Sequence, residues 1–240
     1  MKYLTLIFAL LVFTVSAQAE TVDYRVSGDV NPEFQAITLT LDPDMSTFTG
    51  VTEIHLAVAA EVSRLEFYQS GLSLESVVLQ QGEQTWPMTV KAAQHDIQHA
   101  STGAKIAPGK YVLKISYQGK INDTSDGAYV SRFDGRNYIS TQFEDMHARK
   151  AFPGIDEPDA KIPYQLTISA PEKHVVLSNT PVSTRNVTDG VQTVYFEKTK
   201  PMPSYLVAFA VGEFDSVPIE GLSIPCLLYT SPSPRDMWTS

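Results

Sequence analysis

Residues 141–161 read TQFEDMHARKAFPGIDEPDAK and gather many side chains that can do chemistry. They hold the carboxylates Glu144, Asp145, Asp156, Glu157 and Asp159, the bases Arg149, Lys150 and Lys161, the amide of Gln142 and the imidazole of His147. A carboxylate held in place pairs with cations and accepts charge-assisted hydrogen bonds, most strongly where its surroundings are partly dry. A second candidate is His95-Asp96-Ile97-Gln98-His99, whose paired histidines outline the zinc motif H-E-x-x-H. That motif needs a helix, with both imidazoles on one face and a Glu long enough to reach the metal-bound water. No helical apolar face surrounds residues 94–103, so no metal site is expected there. A G-x-S-x-G elbow and a Gly-rich phosphate loop are absent, and no serine has a nearby base to activate it. Asn122-Asp123-Thr124 and Asn186-Val187-Thr188 fit the glycosylation sequon but read as polar loops.

The elements around the charged stretch alternate apolar and polar residues. Ile37, Leu39 and Leu41 do so, as do Ile54, Leu56 and Val58, and Tyr111, Leu113, Ile115 and Tyr117. The same period two runs through Tyr164, Leu166 and Ile168, through Val191, Thr193 and Tyr195, and through Tyr205, Val207, Phe209 and Val211. Such runs predict strands with one buried face. Asp42-Pro43-Asp44, Pro108-Gly109, Asp134-Gly135 and Asp189-Gly190 mark turns between them. With no sustained 3.6-residue apolar period, the reading is all-β, a sandwich or strongly curved sheet.

The two ends read differently from the middle. Lys2, the apolar run Tyr3 to Val15 and Ala17-Gln18-Ala19 have the form of a signal peptide over residues 1–19, so a mature chain beginning at Glu20 and exported to a periplasmic or extracellular space is expected. The run is short for a bilayer span and no second one follows, so no transmembrane segment is expected. At the other end, residues 226–236, CLLYTSPSPRD, match one reading frame of a common sequencing-library adapter. Residues 226–240 are therefore read as a non-native tail, and 20–225 as one β domain, incomplete at its C-terminal side. The chain's one cysteine, Cys226, falls in that tail, so neither a disulfide framework nor a thiol nucleophile is expected in the domain. A formal net charge of −9 makes nucleic acid a poor partner.

In the charged stretch, Thr141-Gln142-Phe143-Glu144, Ala148-Arg149-Lys150-Ala151-Phe152-Pro153, Asp156-Glu157-Pro158 and Lys161 resemble the T-Q-F-E, A-R-x-A-F-P-x-x-D-E-P and K signature of the aminopeptidase N family of zinc exopeptidases. Pro201-Met202-Pro203-Ser204-Tyr205-Leu206-Val207-Ala208-Phe209 resembles that family's M-P-x-Y-L-x-A-F strand, and Leu39 to Asp44 with Phe48 and Gly50 fit its first hairpin. The resemblance implies a saddle-shaped, antiparallel N-terminal β domain that packs on a separate catalytic domain of the same chain. The family's H-E-x-x-H, G-A-M-E-N and catalytic Tyr are not in this sequence, so zinc is expected as a cofactor of the parent enzyme and no catalytic or metal residue is expected here. Carried over by position, Glu144 anchors the α-ammonium of a peptide substrate and Gln142 lines the pocket for its first side chain. Arg149, Asp156, Glu157 and Lys161 are read as an ion-pair and turn network that holds the loop, with Pro153 and Pro158 fixing its backbone. His147 and Gly154 depart from the residues common at those positions. The other reading, a noncatalytic exported β-sandwich that binds peptide or carbohydrate, differs from this one in needing no catalytic domain.

Overall fold

The computed structural model describes residues 25, 26, 28–219 and 226–230, with side chains up to 215. The expected leader 1–19 and residues 231–240 of the expected tail lie outside the described residues. Strands are numbered along the chain. The largest sheet contains β1 (Val30–Thr40), β2 (Thr47–Val58), β4 (Ser73–Gln81), β5 (Gln84–Pro87), β8 (Gly109–Lys120), β11 (Tyr164–Pro171), β13 (Val182–Thr188) and β14 (Val191–Phe196). Its spatial order is β13-β14-β11-β1-β2-β8-β4-β5. A second sheet sets β9 (Gly127–Phe133), β10 (Arg136–Gln142), β12 (Val175–Ser178) and β15 (Phe209–Gly212) in the order β12-β15-β10-β9. A third joins β3 (Leu65–Tyr68), β6 (Thr89–Ala92) and β7 (Ile97–Ser101) in the order β3-β7-β6, and β16 (Asp215–Ile219) pairs with β17 (Cys226–Thr230). Among the described residues there is no α-helix, only single 3-10 turns at Ala148–Lys150 and Ser204–Leu206.

The protein is all-β, as the alternation predicts, and its sheets do not close. Among the named strands of the described residues, one pairing departs from the antiparallel pattern: β1 and β11 run parallel, Gln35 opposite Tyr164 through Thr40 opposite Ser169. These strands are far apart in sequence and no hairpin joins them, so nothing forces them to run antiparallel. Two turns form as read. Asp134 and Gly135, and Asp189 and Gly190, all have positive φ, the two-residue turn that matches strand twist in a hairpin.

The core follows the period-two pattern in most strands. Ile37, Leu39, Ile54, Leu113, Ile115, Tyr117, Tyr164, Leu166 and Ile168 are all buried. One predicted face and one predicted strand boundary are corrected. In β14 the buried residues are Gln192, Val194 and Phe196, while Val191 and Tyr195 are exposed. Here the β11 partner sets the face: Val194 lies opposite buried Ile168, and the Gln192 amide turns inward to donate to the carbonyls of Pro171 and His174. In the last predicted strand, Ser204–Leu206 form a 3-10 turn and the strand begins only at Phe209.

The β2–β8 ladder, next to β1 at the centre of the large sheet, carries a reciprocal arrangement. Gly50 lies opposite Tyr117, and Phe48 opposite Gly119. A Cβ on Gly50 would stand 2.4 Å from the Tyr117 ring, and one on Gly119 would stand 2.3 Å from the Phe48 ring. Each ring thus covers the glycine across from it, and the two rings meet edge to face at 6.4 Å. Gly119→Ala is expected to cost about 1–3 kcal/mol, because the methyl displaces a buried ring. Urea unfolding checks this: where the space was open, removing a glycine would leave stability unchanged or raise it.

Candidate functional site

The stretch from Thr141 leaves the end of β10, and its first four residues sort by alternation. Thr141 turns to β15, where its hydroxyl donates to the Phe209 carbonyl at 3.2 Å and accepts the Phe209 N–H at 3.1 Å. Phe143 is 1% exposed and meets Phe152 and Phe209 edge to face, at ring separations of 5.7 and 6.1 Å. Gln142 and Glu144, which alternate with them, are exposed. One half of the tetrad is therefore an anchor, and the two predicted site residues are the half left facing out. The Glu144–Asp145 peptide is cis.

Beyond Glu144 the chain makes a turn, His147 N–H to Phe143 carbonyl at 2.9 Å, and enters the 3-10 turn Ala148–Lys150. Arg149 is buried there. Its Nε donates to Asp156 Oδ2 at 2.8 Å, its NH2 to the Asp156 carbonyl at 3.1 Å and its NH1 to the His95 carbonyl at 3.4 Å. The guanidinium lies over the Tyr68 ring, 4.2 Å from its centre. Burial of two charges is favourable only where geometry and additional hydrogen bonds satisfy both. Here both are satisfied, since the other Asp156 oxygen accepts the hydroxyl of Ser204.

Ser204 belongs to the second motif, so the two segments that carry the sequence resemblance are bonded to each other. Ile162 and Met202 complete the junction by exchanging backbone hydrogen bonds at 3.2 and 3.0 Å. Glu157 joins through Tyr68: its Oε1 accepts the phenol at 2.8 Å and the Val26 N–H at 2.8 Å. Burial first, and then the bond to Glu157, push the Tyr68 hydroxyl well above the usual phenol range, so it stays a donor. Lys150 pairs with Asp126 in the loop before β9, and that bond and the Thr124 hydroxyl hold the Asp126 carboxyl below its usual range.

The predicted network holds for Arg149, Asp156 and Glu157 and is corrected for Lys161. Lys161 is exposed, and among the described residues its side chain takes no part in the network. Sequence reasoning missed Tyr68, Gln35 and Ser204. Gln35 is fully buried, and its amide donates to Thr52 Oγ1 at 2.7 Å and to the Pro153 carbonyl at 2.9 Å. It also explains Gly154, because a Cβ there would stand 2.9 Å from Gln35 Oε1. Gly154 in turn exchanges backbone hydrogen bonds with Tyr68 at 2.8 and 3.1 Å. Gln35 stands two residues before Ile37, on the buried face of β1, and a polar residue at such a position is the signal that could have found it.

A cleft of about 480 Å³ opens beside this loop, lined by Tyr68, Asp96, Asp145, Arg149 and Glu157 among others; neither Gln142 nor Glu144 lines it. The His95–His99 segment does not fit a zinc motif. His95 sits in a turn with φ +58°, while His99 lies in strand β7 with its Nε2 3.2 Å from Glu66 Oε1. No helix of the described residues is long and apolar enough to cross a membrane.

Comparison with known proteins gives a family model, the peptidase M1 N-terminal domain, that matches residues 30–206, a span that includes Gln142 and Glu144. Aminopeptidase M1-B of Oryza sativa subsp. japonica is 33% identical over 185 residues, covering 75% of this chain and 21% of that protein. Aminopeptidase N of Acetobacter pasteurianus is 32% identical over 207 residues, covering 83% of this chain and 58% of that protein. Aminopeptidase M1 of Arabidopsis thaliana is 31% identical over 191 residues, covering 75% of this chain and 22% of that protein. The chain thus spans about a fifth of the plant relatives' length and 58% of the bacterial one.

Removing Asp156 leaves the buried Arg149 guanidinium with the half-exposed Asp96, 3.7 Å away, as a weaker carboxylate partner, so Asp156→Ala is expected to lower stability by about 3 kcal/mol. Arg149→Met with Asp156→Leu should cost much less than the sum of the single changes. A double-mutant cycle by denaturant unfolding checks both; additive losses would show that the pair is not coupled.

Proposed function

The chain belongs to the peptidase M1 N-terminal domain family, and from that premise we propose that it is the substrate-anchoring β domain of an exported, zinc-dependent aminopeptidase that removes N-terminal residues from peptides. In this reading Glu144 pairs with the substrate's free α-ammonium and Gln142 lines the pocket for the first side chain. The observation that carries it is the division of the Thr141 to Glu144 tetrad. Thr141 and Phe143 are pinned to β15 and the aromatic core, and Gln142 and Glu144, which alternate with them, face outward on a backbone that cannot easily retreat.

The chemistry required of Glu144 is recognition rather than bond cleavage. An exopeptidase must detect a positive charge at one end of its substrate and hold it one residue from the scissile bond. A fixed carboxylate does this by opposite-charge pairing, and the pairing strengthens as a bound peptide and a neighbouring domain exclude water. The catalytic zinc implied by the family is not assigned to His95 and His99, whose turn and strand conformations do not match H-E-x-x-H. No step of the reaction is assigned to residues of this chain, and the metal is assigned to a catalytic domain of the parent protein. Export rests on the sequence of residues 1–19 alone.

The test uses the full-length enzyme recovered from the source DNA. Glu144→Ala removes one partner of a desolvated charge pair and is expected to cost roughly 2–5 kcal/mol, about thirty-fold to several thousand-fold in kcat/KM. Inhibitors that carry a free amine should weaken with the substrate, while a metal-directed inhibitor without one should bind as before. Gln142→Ala should instead alter preference among first side chains by about 1–3 kcal/mol. A Glu144→Ala enzyme within about three-fold of wild type would make Glu144 a solvated loop residue and overturn the assignment.

A further inference from the structure

The turn Asp42-Pro43-Asp44 between β1 and β2 faces His174 in the turn between β11 and β12. One donor atom from each of Asp42, Asp44 and His174 lies within 4.8 Å of the other two. An acidic turn is common and would mean little, but the histidine is unusual. It is 4% exposed, and neither ring nitrogen has a hydrogen-bond partner. A buried imidazole must leave a donor or an acceptor unmet in such a position, which is unfavourable unless something else occupies it.

The ring is held in place by its own backbone. The His174 N–H donates to the Pro171 carbonyl at 3.1 Å, and its carbonyl accepts the buried Gln192 amide at 2.5 Å. The carboxylates are oriented as well. Asp42 Oδ1 accepts the Asp44 N–H at 3.0 Å, and Asp44 Oδ1 accepts the Asn137 amide at 3.0 Å, which leaves a second oxygen on each. The second oxygen of Asp44 lies 3.5 Å from Nζ of the exposed Lys173, which also lies 3.8 Å from Glu213 Oε1. The neutral ring is the form that ligates metal.

We propose that Asp42, Asp44 and His174 bind a divalent transition-metal ion of the zinc class, with water completing the shell. The imidazole argues against calcium or magnesium, which take oxygen ligands, and two carboxylates with one imidazole suit zinc. Bonds of about 2.0–2.2 Å in a tetrahedral shell put ligand atoms about 3.4 Å apart, and the three donor atoms already lie within 4.8 Å of one another. The ion would staple the β1–β2 hairpin to the β11–β12 turn and stabilise the fold by mass action.

The test uses the 240-residue chain, stripped with chelator and then equilibrated with zinc chloride, with bound metal determined by elemental mass spectrometry. One zinc per chain is expected, together with a higher melting temperature and, with cobalt in place of zinc, a visible absorption band. Asp44→Asn, at an exposed position, and His174→Gln should each weaken zinc binding by more than about tenfold. Circular dichroism confirms that each variant keeps its fold. His95→Gln with His99→Gln should bind as wild type, and calcium should neither bind nor compete. No zinc on the wild-type chain, equal retention by a folded Asp44→Asn chain, or competition by calcium would each overturn the site.

Discussion

The loop that leaves β10 after Gln142 and carries Glu144 depends on one buried ion pair, Arg149 with Asp156. Isolated, either charge would be costly in a core made of Phe143, Phe152, Tyr164 and Phe209. Together they are tolerated because every side of the pair is met: a second bond from the guanidinium to the Asp156 backbone, the Tyr68 ring beneath it, and the Ser204 hydroxyl on the far carboxylate oxygen. The pair closes a segment that has almost no regular secondary structure of its own. A loop of this length without such closure would not hold the exposed Glu144 side chain in a fixed direction.

The consequence is a division of labour within a short run of sequence. Aromatic residues supply adhesion to the sheet, the ion pair supplies shape, and the residues left over face the solvent. Gln35 extends the same logic into the large sheet, reaching from β1 to the Pro153 carbonyl. Tyr68 does so from β3, with Glu157 and Gly154 as its partners. Three sheets are thereby tied to one loop, and the outward residues inherit the rigidity of all three.

Much of this was legible in the sequence, and the misses share a cause. Strand periodicity and Asp-Gly turns identified the all-β fold because they are local properties. The face of β14 was misread because Val191 and Tyr195 look like core residues, while the register is fixed by β11 and by the partners of Gln192, which lie elsewhere in the chain. Lys161 was grouped with the network by charge and proximity in sequence, yet an exposed lysine gains little from such a pair. Gly154 looked like a departure until Gln35, over a hundred residues earlier, was found in the space a side chain would need. His174 carried no sequence signal, because its significance lies in burial without partners and in a turn from another hairpin.

The central claim is that the segment from Phe143 to Glu157 is part of the rigid core although it lacks strand or helix. Amide hydrogen exchange measures this directly on the 240-residue chain. The N–H groups of Phe152 and Gly154, and that of Ser70, which donates to the Arg149 carbonyl, should exchange as slowly as those of β2 and β8. Exchange of these amides at the rate of an exposed turn, with β2 and β8 still protected, would show that the loop opens independently of the core and would contradict the account.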